Sequence, residues 1–330
     1  MKNIIVLLLL TLIMGCVEDF DLKLNNSEPR LVVEGLITNK PGPYYVRLTK
    51  SKTNNITSPE ESRDENVDPV TDAQVIVRDD LNNVDTLKLI DIDMTGYQYD
   101  FRYGGYFKFV HDGSGNIVDT LFLSSDLYSL NKRGYYKSSK LKGTEGQTYY
   151  LNVRWKDKEY TASAYMPSVP KIDSLGYVLK PTEIVGKDDK YVPLLYFEEP
   201  QGIRNYYLIQ LNKDIPSRSR YSHTQWEFSI LTDTYLEPYV NGLNVSTGYT
   251  PRGENINSKY RRGDTIYVAL NSLTHEDYNY YKNLIDQFDN DGGAYKPSPA
   301  TPPGNISNGA LGLFRASAVS EKQTYIKYSS

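Results

Sequence analysis

The chain has 330 residues, with 41 Asp and Glu against 37 Lys and Arg, a formal net charge of -4 and a hydrophobic fraction of 39%. That balance offers no basic footprint for a phosphate backbone and excludes nucleic acid as the expected partner, while a single cysteine excludes an intramolecular disulfide framework, a thiolate cluster and a redox pair. The 30 tyrosines against 9 phenylalanines and 2 tryptophans suit half-buried strands, where the ring packs on a sheet and the hydroxyl stays wet, and they also suit a binding surface.

Lys2, the apolar run from Ile4 to Met14 and the small Gly15 read as a signal peptide over residues 1–15. A spanning helix needs about 20 predominantly apolar residues, and this run ends against Val17-Glu18-Asp19-Phe20-Asp21. The exit Ile13-Met14-Gly15-Cys16 resembles the lipobox of bacterial lipoproteins, which implies cleavage before Cys16 and acylation of its thiol. Each buried CH₂ of an acyl chain adds about 0.8 kcal/mol of membrane affinity and one chain alone is marginal, so several chains would hold the protein on a bilayer without a further hydrophobic segment. Residues 16–28 read as an acidic and polar tether, in which Glu18, Asp19 and Asp21 resemble the acidic export signal of surface lipoproteins in Bacteroidetes. A plain solvated tether is the competing reading.

Residues 29–166 read as an amino-terminal β-sandwich. Leu31-Val33, Tyr44-Val46-Leu48, Ala73-Val75-Val77 and Tyr97-Tyr99-Phe101-Tyr103 each place apolar or aromatic side chains on one face of a short strand, with Gly, Asn, Asp and Pro between them. Ser58 to Asp68 is acidic, proline-containing and unpatterned, so it reads as a flexible loop. A hairpin runs through Tyr149-Leu151-Val153-Trp155, turns over Lys156-Asp157-Lys158-Glu159 and returns as Tyr160-Ala162-Ala164, with Trp155 as core. Short strands at this spacing without intervening helices indicate an immunoglobulin-like or transthyretin-like sandwich.

Met166-Pro167-Ser168-Val169-Pro170 marks a boundary, because two prolines remove ladder donors and keep the chain extended. Residues 171–330 read as a second β-rich domain, with alternation at Tyr207-Ile209-Leu211, Trp226-Phe228-Ile230 and Ile266-Val268-Leu270. One amphipathic helix is expected over 275–290. Thr274 caps it with Asp277 three positions on, the stripe Tyr278, Tyr281, Leu284, Ile285 and Phe288 faces a sheet, and Gly292-Gly293 end it. The class is mainly β, in two sandwich-like domains.

No catalytic constellation is legible, and the chain reads as no enzyme. Of the three histidines, His111, His223 and His275, none sits in a nucleophile motif, and His111-Asp112-Gly113-Ser114-Gly115 lacks the strand-to-helix context of a serine elbow, so it reads as a hairpin turn. Asp289-Asn290-Asp291-Gly292-Gly293 fails as an EF-hand, since Gln287 and Ser298 occupy the first and last ligand positions. Glu198 and Glu199 are adjacent and face opposite ways on a strand. No metal and no cofactor is expected. The triplets Asp85-Thr86-Leu87, Asp119-Thr120-Leu121, Asp173-Ser174-Leu175 and Asp264-Thr265-Ile266 resemble Bacteroidetes O-glycosylation sites at Thr86, Thr120, Ser174 and Thr265, and are also natural strand starts.

With Leu31-Val32-Val33-Glu34-Gly35, Val70-Thr71-Asp72-Ala73-Gln74-Val75, the run Met166 to Leu175, and Gly304-Asn305-Ile306-Ser307-Asn308-Gly309-Ala310-Leu311-Gly312-Leu313-Phe314 in hand, the mature chain resembles the domain-of-unknown-function 4249 family of Bacteroidetes lipoproteins. The resemblance implies an outer-membrane lipoprotein facing the cell exterior, encoded beside a SusC-like, TonB-dependent receptor, and it carries no catalytic residues. The expected function is an accessory or ligand-capturing subunit of such a transporter, with a peptide, glycan or other nutrient as ligand. A structural or assembly lipoprotein of the envelope is the alternative, and a hydrolase the third. Tyrosine-rich loops around Tyr103 to Phe109, Tyr135-Tyr136 and Tyr221 are the candidate partner surface.

Overall fold

A computed structural model describes residues 28–51, 68–180, 190–212, 227–245, 247–249, 255–257, 260–289 and 301–327. Cys16, Glu18, Asp19, Asp21, Tyr221, His223, Trp226, the Gly292-Gly293 stop and residues 58–67 of the expected loop lie outside them. The described chain is mainly β, in several sheets with two α-helices.

The first half contributes β1 (Leu31–Thr38), β2 (Tyr45–Lys50), β3 (Asp68–Pro69), β4 (Gln74–Asp79), β5 (Val84–Leu89), β6 (Gln98–Asp100), β7 (Gly105–His111), β8 (Ile117–Ser124), α1 (Ser125–Leu130), β9 (Tyr135–Lys137), β10 (Thr148–Trp155) and β11 (Lys158–Tyr165). Alternation decides which face is inside. Leu31, Val33 and Ile37 of β1, Val75 and Val77 of β4, and Tyr149, Leu151 and Val153 of β10 all enter one core. The second half contributes β12 (Ile172–Lys180), β13 (Lys190–Glu198), β14 (Tyr206–Asn212), β15 (Glu227–Thr232), β16 (Tyr239–Asn244), β17 (Thr247–Tyr249), β18 (Asn255–Asn257), β19 (Thr265–Leu273), α2 (His275–Asp289), β20 (Leu311–Ser317) and β21 (Val319–Tyr325).

The first core is enclosed by a nine-stranded sheet in the order β11-β10-β4-β5-β9-β2-β1-β20, with β3 paired to β2. Its far edge, β20, comes from the other end of the chain and pairs parallel to β1, Val32 opposite Leu311 through Thr38 opposite Ser317. The expected division at 166–171 is therefore corrected. Ile306, Ala310, Phe314, Ala316 and Ala318 belong to the first core, because Phe314 needs a close neighbour without a side chain and finds Gly35 in register, where an added Cβ would stand 2.7 Å from its ring.

The sheet's two edges meet across a seam. The Asn305 amide donates to Ser163 O on β11 (3.0 Å) and to Phe314 O on β20 (2.6 Å), and its Oδ1 accepts from Phe314 N (3.0 Å). Ser307 N donates to Thr161 O at 2.8 Å. An asparagine side chain can do this because it carries donors and an acceptor on one planar group.

In the second half, the three-stranded sheet β12-β13-β16 packs on the six-stranded sheet β18-β17-β15-β14-β19-β21. Tyr207, Ile209, Leu211, Ile266, Val268 and Leu270 point inward against Leu195 and Phe197. The opposite face, with Leu208 and Phe228, carries α2 through Tyr278, Tyr281, Leu284, Ile285 and Phe288, as the stripe predicts. No helix among the described residues is long and apolar enough to cross a membrane.

Three local expectations need correction. The strand over 97–103 covers only Gln98–Asp100, because Asp100 accepts a hydrogen bond from Arg102 N at 2.9 Å and turns the chain, leaving Phe101 and Tyr103 outside the ladder. The hairpin turn is Lys156-Asp157 alone, both at positive φ, 49° and 58°, the geometry of a two-residue loop that follows strand twist, so Lys158 and Glu159 are already paired in β11. Asp68 ends the expected loop as the first residue of β3, opposite Lys50.

Candidate functional site

β5 and β9 are hydrogen-bonded neighbours, Lys88 opposite Lys137 and Leu89 opposite Tyr136, yet residues 90–134 lie between them in the chain. That excursion carries the separate sheet β6-β7-β8 and α1. Ser124 starts α1, its Oγ accepting from Leu127 N at 3.2 Å.

The small sheet has no core beneath it, so its rings pack on each other. On one face Tyr106 lies 5.0 Å from Tyr99 and 4.2 Å from Tyr128. On the other, Phe107 lies 5.3 Å from Tyr103 and 4.9 Å from Phe122. Much of this surface meets solvent: Phe101 is 90% exposed, Tyr103 66%, Val118 61% and Phe122 53%. Contiguous apolar patches beyond a few hundred Å² are rare on soluble monomers and mark contact surfaces.

Beside the insertion lies a groove of about 960 Å³, walled by the β1–β2 connection, the end of β5, Leu127 of α1 and the segment after β9. Its floor is apolar, with Leu89, Ile90 and Leu141, and five lysines stand on it against one carboxylate, Asp91. Asp85 shapes the wall from beneath. Its Oδ2 accepts from Ser139 N (2.7 Å), Lys140 N (2.7 Å) and Leu141 N (3.0 Å). Burial pushes its carboxyl up, and the hydrogen bonds from Lys140, Ser139 and Leu141 more than offset this, holding it below the usual carboxylate range.

The expected site residues scatter. Thr86, Thr120 and Ser174 are exposed and Thr265 is half-buried, on four different strands. The His111 to Gly115 segment is the β7–β8 turn, where Asp112 Oδ1 accepts from Ser114 N (2.9 Å) and Asn116 N (2.8 Å). His275 opens α2 against the Tyr206 ring at 5.3 Å. Tyr136, expected on the partner surface, is 2% exposed and ties the core together, its hydroxyl donating to Val70 O and accepting from Ala73 N. Trp155 is core, as expected, with Nε1 donating to Asp72 at 2.9 Å. No three metal-ligating side chains converge among the described residues.

The groove lysines were not legible as a site. Lys137-Ser138-Ser139-Lys140-Leu141-Lys142 shows a short acid-free run, but Lys88 joins it only through strand pairing. For the insertion, the signal was the run Ile117 to Leu123, apolar on both strand faces.

A family model, Domain of unknown function (DUF4249), matches residues 17–323. No curated protein matches the chain. Among solved structures, one titled "Biofilm associated protein - BSP domain" shares 8% identity at a TM-score of 0.17, over 89% of this chain and 58% of that one. The chain thus spans less than two thirds of that structure, and a likeness so distant carries no argument.

Proposed function

The chain belongs to the DUF4249 family, and from that premise we propose an outer-membrane lipoprotein, acylated at Cys16 and facing outward, that serves as an accessory or ligand-capturing subunit of a TonB-dependent, SusC-like transporter. The observation that carries this reading is the exposed aromatic sheet β6-β7-β8 on the 90–134 insertion. Aromatic side chains anchor interfaces because they bury large area at small entropic cost. An acyl tether confines the protein to the membrane plane and raises its effective concentration at a receptor, so a modest docking surface suffices.

The test is affinity recovery from outer membranes of cells making the tagged protein. Wild type is expected to bring down a TonB-dependent receptor. Phe101→Ser with Tyr103→Ser, both at exposed positions, is expected to reduce recovery at least tenfold in a protein that keeps its circular dichroism spectrum and a cooperative melt. Recovery of other envelope proteins without a receptor would support the structural or assembly reading instead. Protease shaving of intact cells checks the outward orientation, and Cys16→Ala is expected to release the protein from the membrane fraction.

A further inference from the structure

We propose that the groove beside the insertion is a binding site for an amphipathic organic anion, a carboxylate on an aliphatic body, held by Lys88, Lys137, Lys140 and Lys142 over the apolar floor. The inference deepens the ligand-capturing reading and rests on it only for the use made of the ligand.

Two independent observations carry it. The first is charge. The chain is acidic overall, yet five lysines line one groove with a single carboxylate, Asp91, and that carboxylate already faces Lys132 at 3.9 Å. Of the five, Lys40 is paired with Glu321 at 3.2 Å. Lys88, Lys137, Lys140 and Lys142 have no ion-pair partner among the described residues.

The second is register. Lys88 and Lys137 stand directly opposite each other on β5 and β9. Opposed residues of an antiparallel pair have Cβ atoms about 4.5–5.5 Å apart, and like charges there are destabilising. A sheet could relieve this with one glutamate in place of either lysine. Keeping both leaves a local conflict, and such conflicts concentrate at functional sites. An anion between the two ammonium groups removes it.

The lining chooses the class of anion. Lysines present mobile point charges, without the planar fork with which arginine grips one carboxylate or phosphate. Tyr44, the aromatic residue in the wall, is 2% exposed, with its hydroxyl spent on Thr38 O and Lys40 O, so its ring is not offered for a sugar to stack on. Ile92 and Leu127, both half-buried, with Ile90 and Leu141 buried behind them, give an aliphatic body an apolar wall. The volume falls within the range of small-molecule pockets, roughly 300–1,000 Å³. The Asp85 carboxylate fixes the backbone that presents Lys140, so the wall is organised before a ligand arrives.

The experiment uses the full mature chain, residues 16–330, with Cys16→Ser to keep it free of lipid. The probe is dansyl-labelled undecanoate followed by fluorescence, with its uncharged amide as control. The carboxylate is expected to bind at least tenfold tighter than the amide, and more weakly as salt is raised. Lys88→Gln with Lys137→Gln is expected to weaken the carboxylate at least tenfold and to raise the melting temperature of the unliganded protein, since it removes the cross-strand repulsion. Lys322→Gln, on β21, is expected to change neither. Equal binding of carboxylate and amide, or binding indifferent to both lysines, would overturn the proposal. So would binding of an oligogalacturonate in place of the undecanoate, which would assign the groove to an acidic glycan. None of these outcomes bears on receptor recovery, so the two readings stand or fall separately.

Discussion

Glu198 ends β13 and Glu199 follows it, and the two live in opposite environments because the strand's alternation carries on one residue past its end. Glu198 is exposed, while Glu199 is 4% exposed and accepts hydrogen bonds from the Tyr207 hydroxyl (2.9 and 3.0 Å) and Asn205 Nδ2 (2.8 Å). Burial pushes the Glu199 carboxyl up, against the lowering effect of Tyr207 and Asn205. Burial and the neighbouring carboxylate also push the Tyr207 hydroxyl up, so it stays a donor. A carboxyl raised on folding stabilises the fold while both states are protonated, and that contribution is lost as pH rises through its folded pKa. Glu199→Gln is therefore expected to lose less stability than wild type as pH rises above the unfolded carboxyl pKa of about 4, measured as urea midpoints across the range. An equal slope in both proteins would show that Glu199 does not titrate abnormally. Asp85 has the opposite sign, because its lowered carboxyl stabilises above the unfolded pKa and loses that contribution as pH falls. The sequence shows that the two glutamates face apart. Which one is inside depends on which face finds a partner, and that is a tertiary fact.

Helix α2 was the most legible element. Thr274 Oγ1 accepts from Asp277 N at 3.1 Å and Asp277 Oδ2 from Thr274 N at 3.2 Å, a reciprocal cap visible as Thr-x-x-Asp in the chain. Thr274→Ala is expected to cost about 1 kcal/mol, read as a shift of the denaturant midpoint at constant slope, whereas a silent substitution would mean that packing of Tyr281 and Phe288 alone fixes the helix start. Strands with one buried face, such as β1, β4 and β10, came next. β7, β8 and α1 were not legible, for a physical reason. The apolar side chains of the two strands lie on both faces of a sheet without a core, so the alternation that advertises a half-buried strand is missing, and the six residues of α1 are too few to show a helical stripe. The groove escaped for a related reason, since its lysines come from strands that become neighbours only by crossing an excursion of residues 90–134.

At the scale of the molecule, the chain lays down all but one strand of its first sheet, builds the second pair of sheets, and returns through β20 to finish the first before β21 pairs with β19. Ser272 pins the crossing: its hydroxyl donates to Pro167 O (2.7 Å) and accepts from Ala318 N (2.9 Å), while Ser317 Oγ donates to Ser272 O (2.6 Å). The two halves cannot be separated by a single cut. A fragment of residues 29–166 is expected to remain unfolded by circular dichroism, because it lacks β20 and leaves the β1 edge and the floor around Gly35 open. Residues 29–166 joined through a flexible linker to 301–318 are expected to regain a cooperative melt. Independent folding of the shorter fragment would show that β20 is dispensable. The sequence by itself determined the β class, the hairpin, the capped helix and the family, because each is written in residues close together in the chain, where periodicity and local hydrogen bonding act. Only the tertiary structure decided that Leu31–Gly35 and Leu311–Phe314 are parallel neighbours, that Asn305 closes a seam, and that Lys88 faces Lys137. Pairing between residues so distant is fixed by which surfaces can be buried together, and no local pattern encodes that choice.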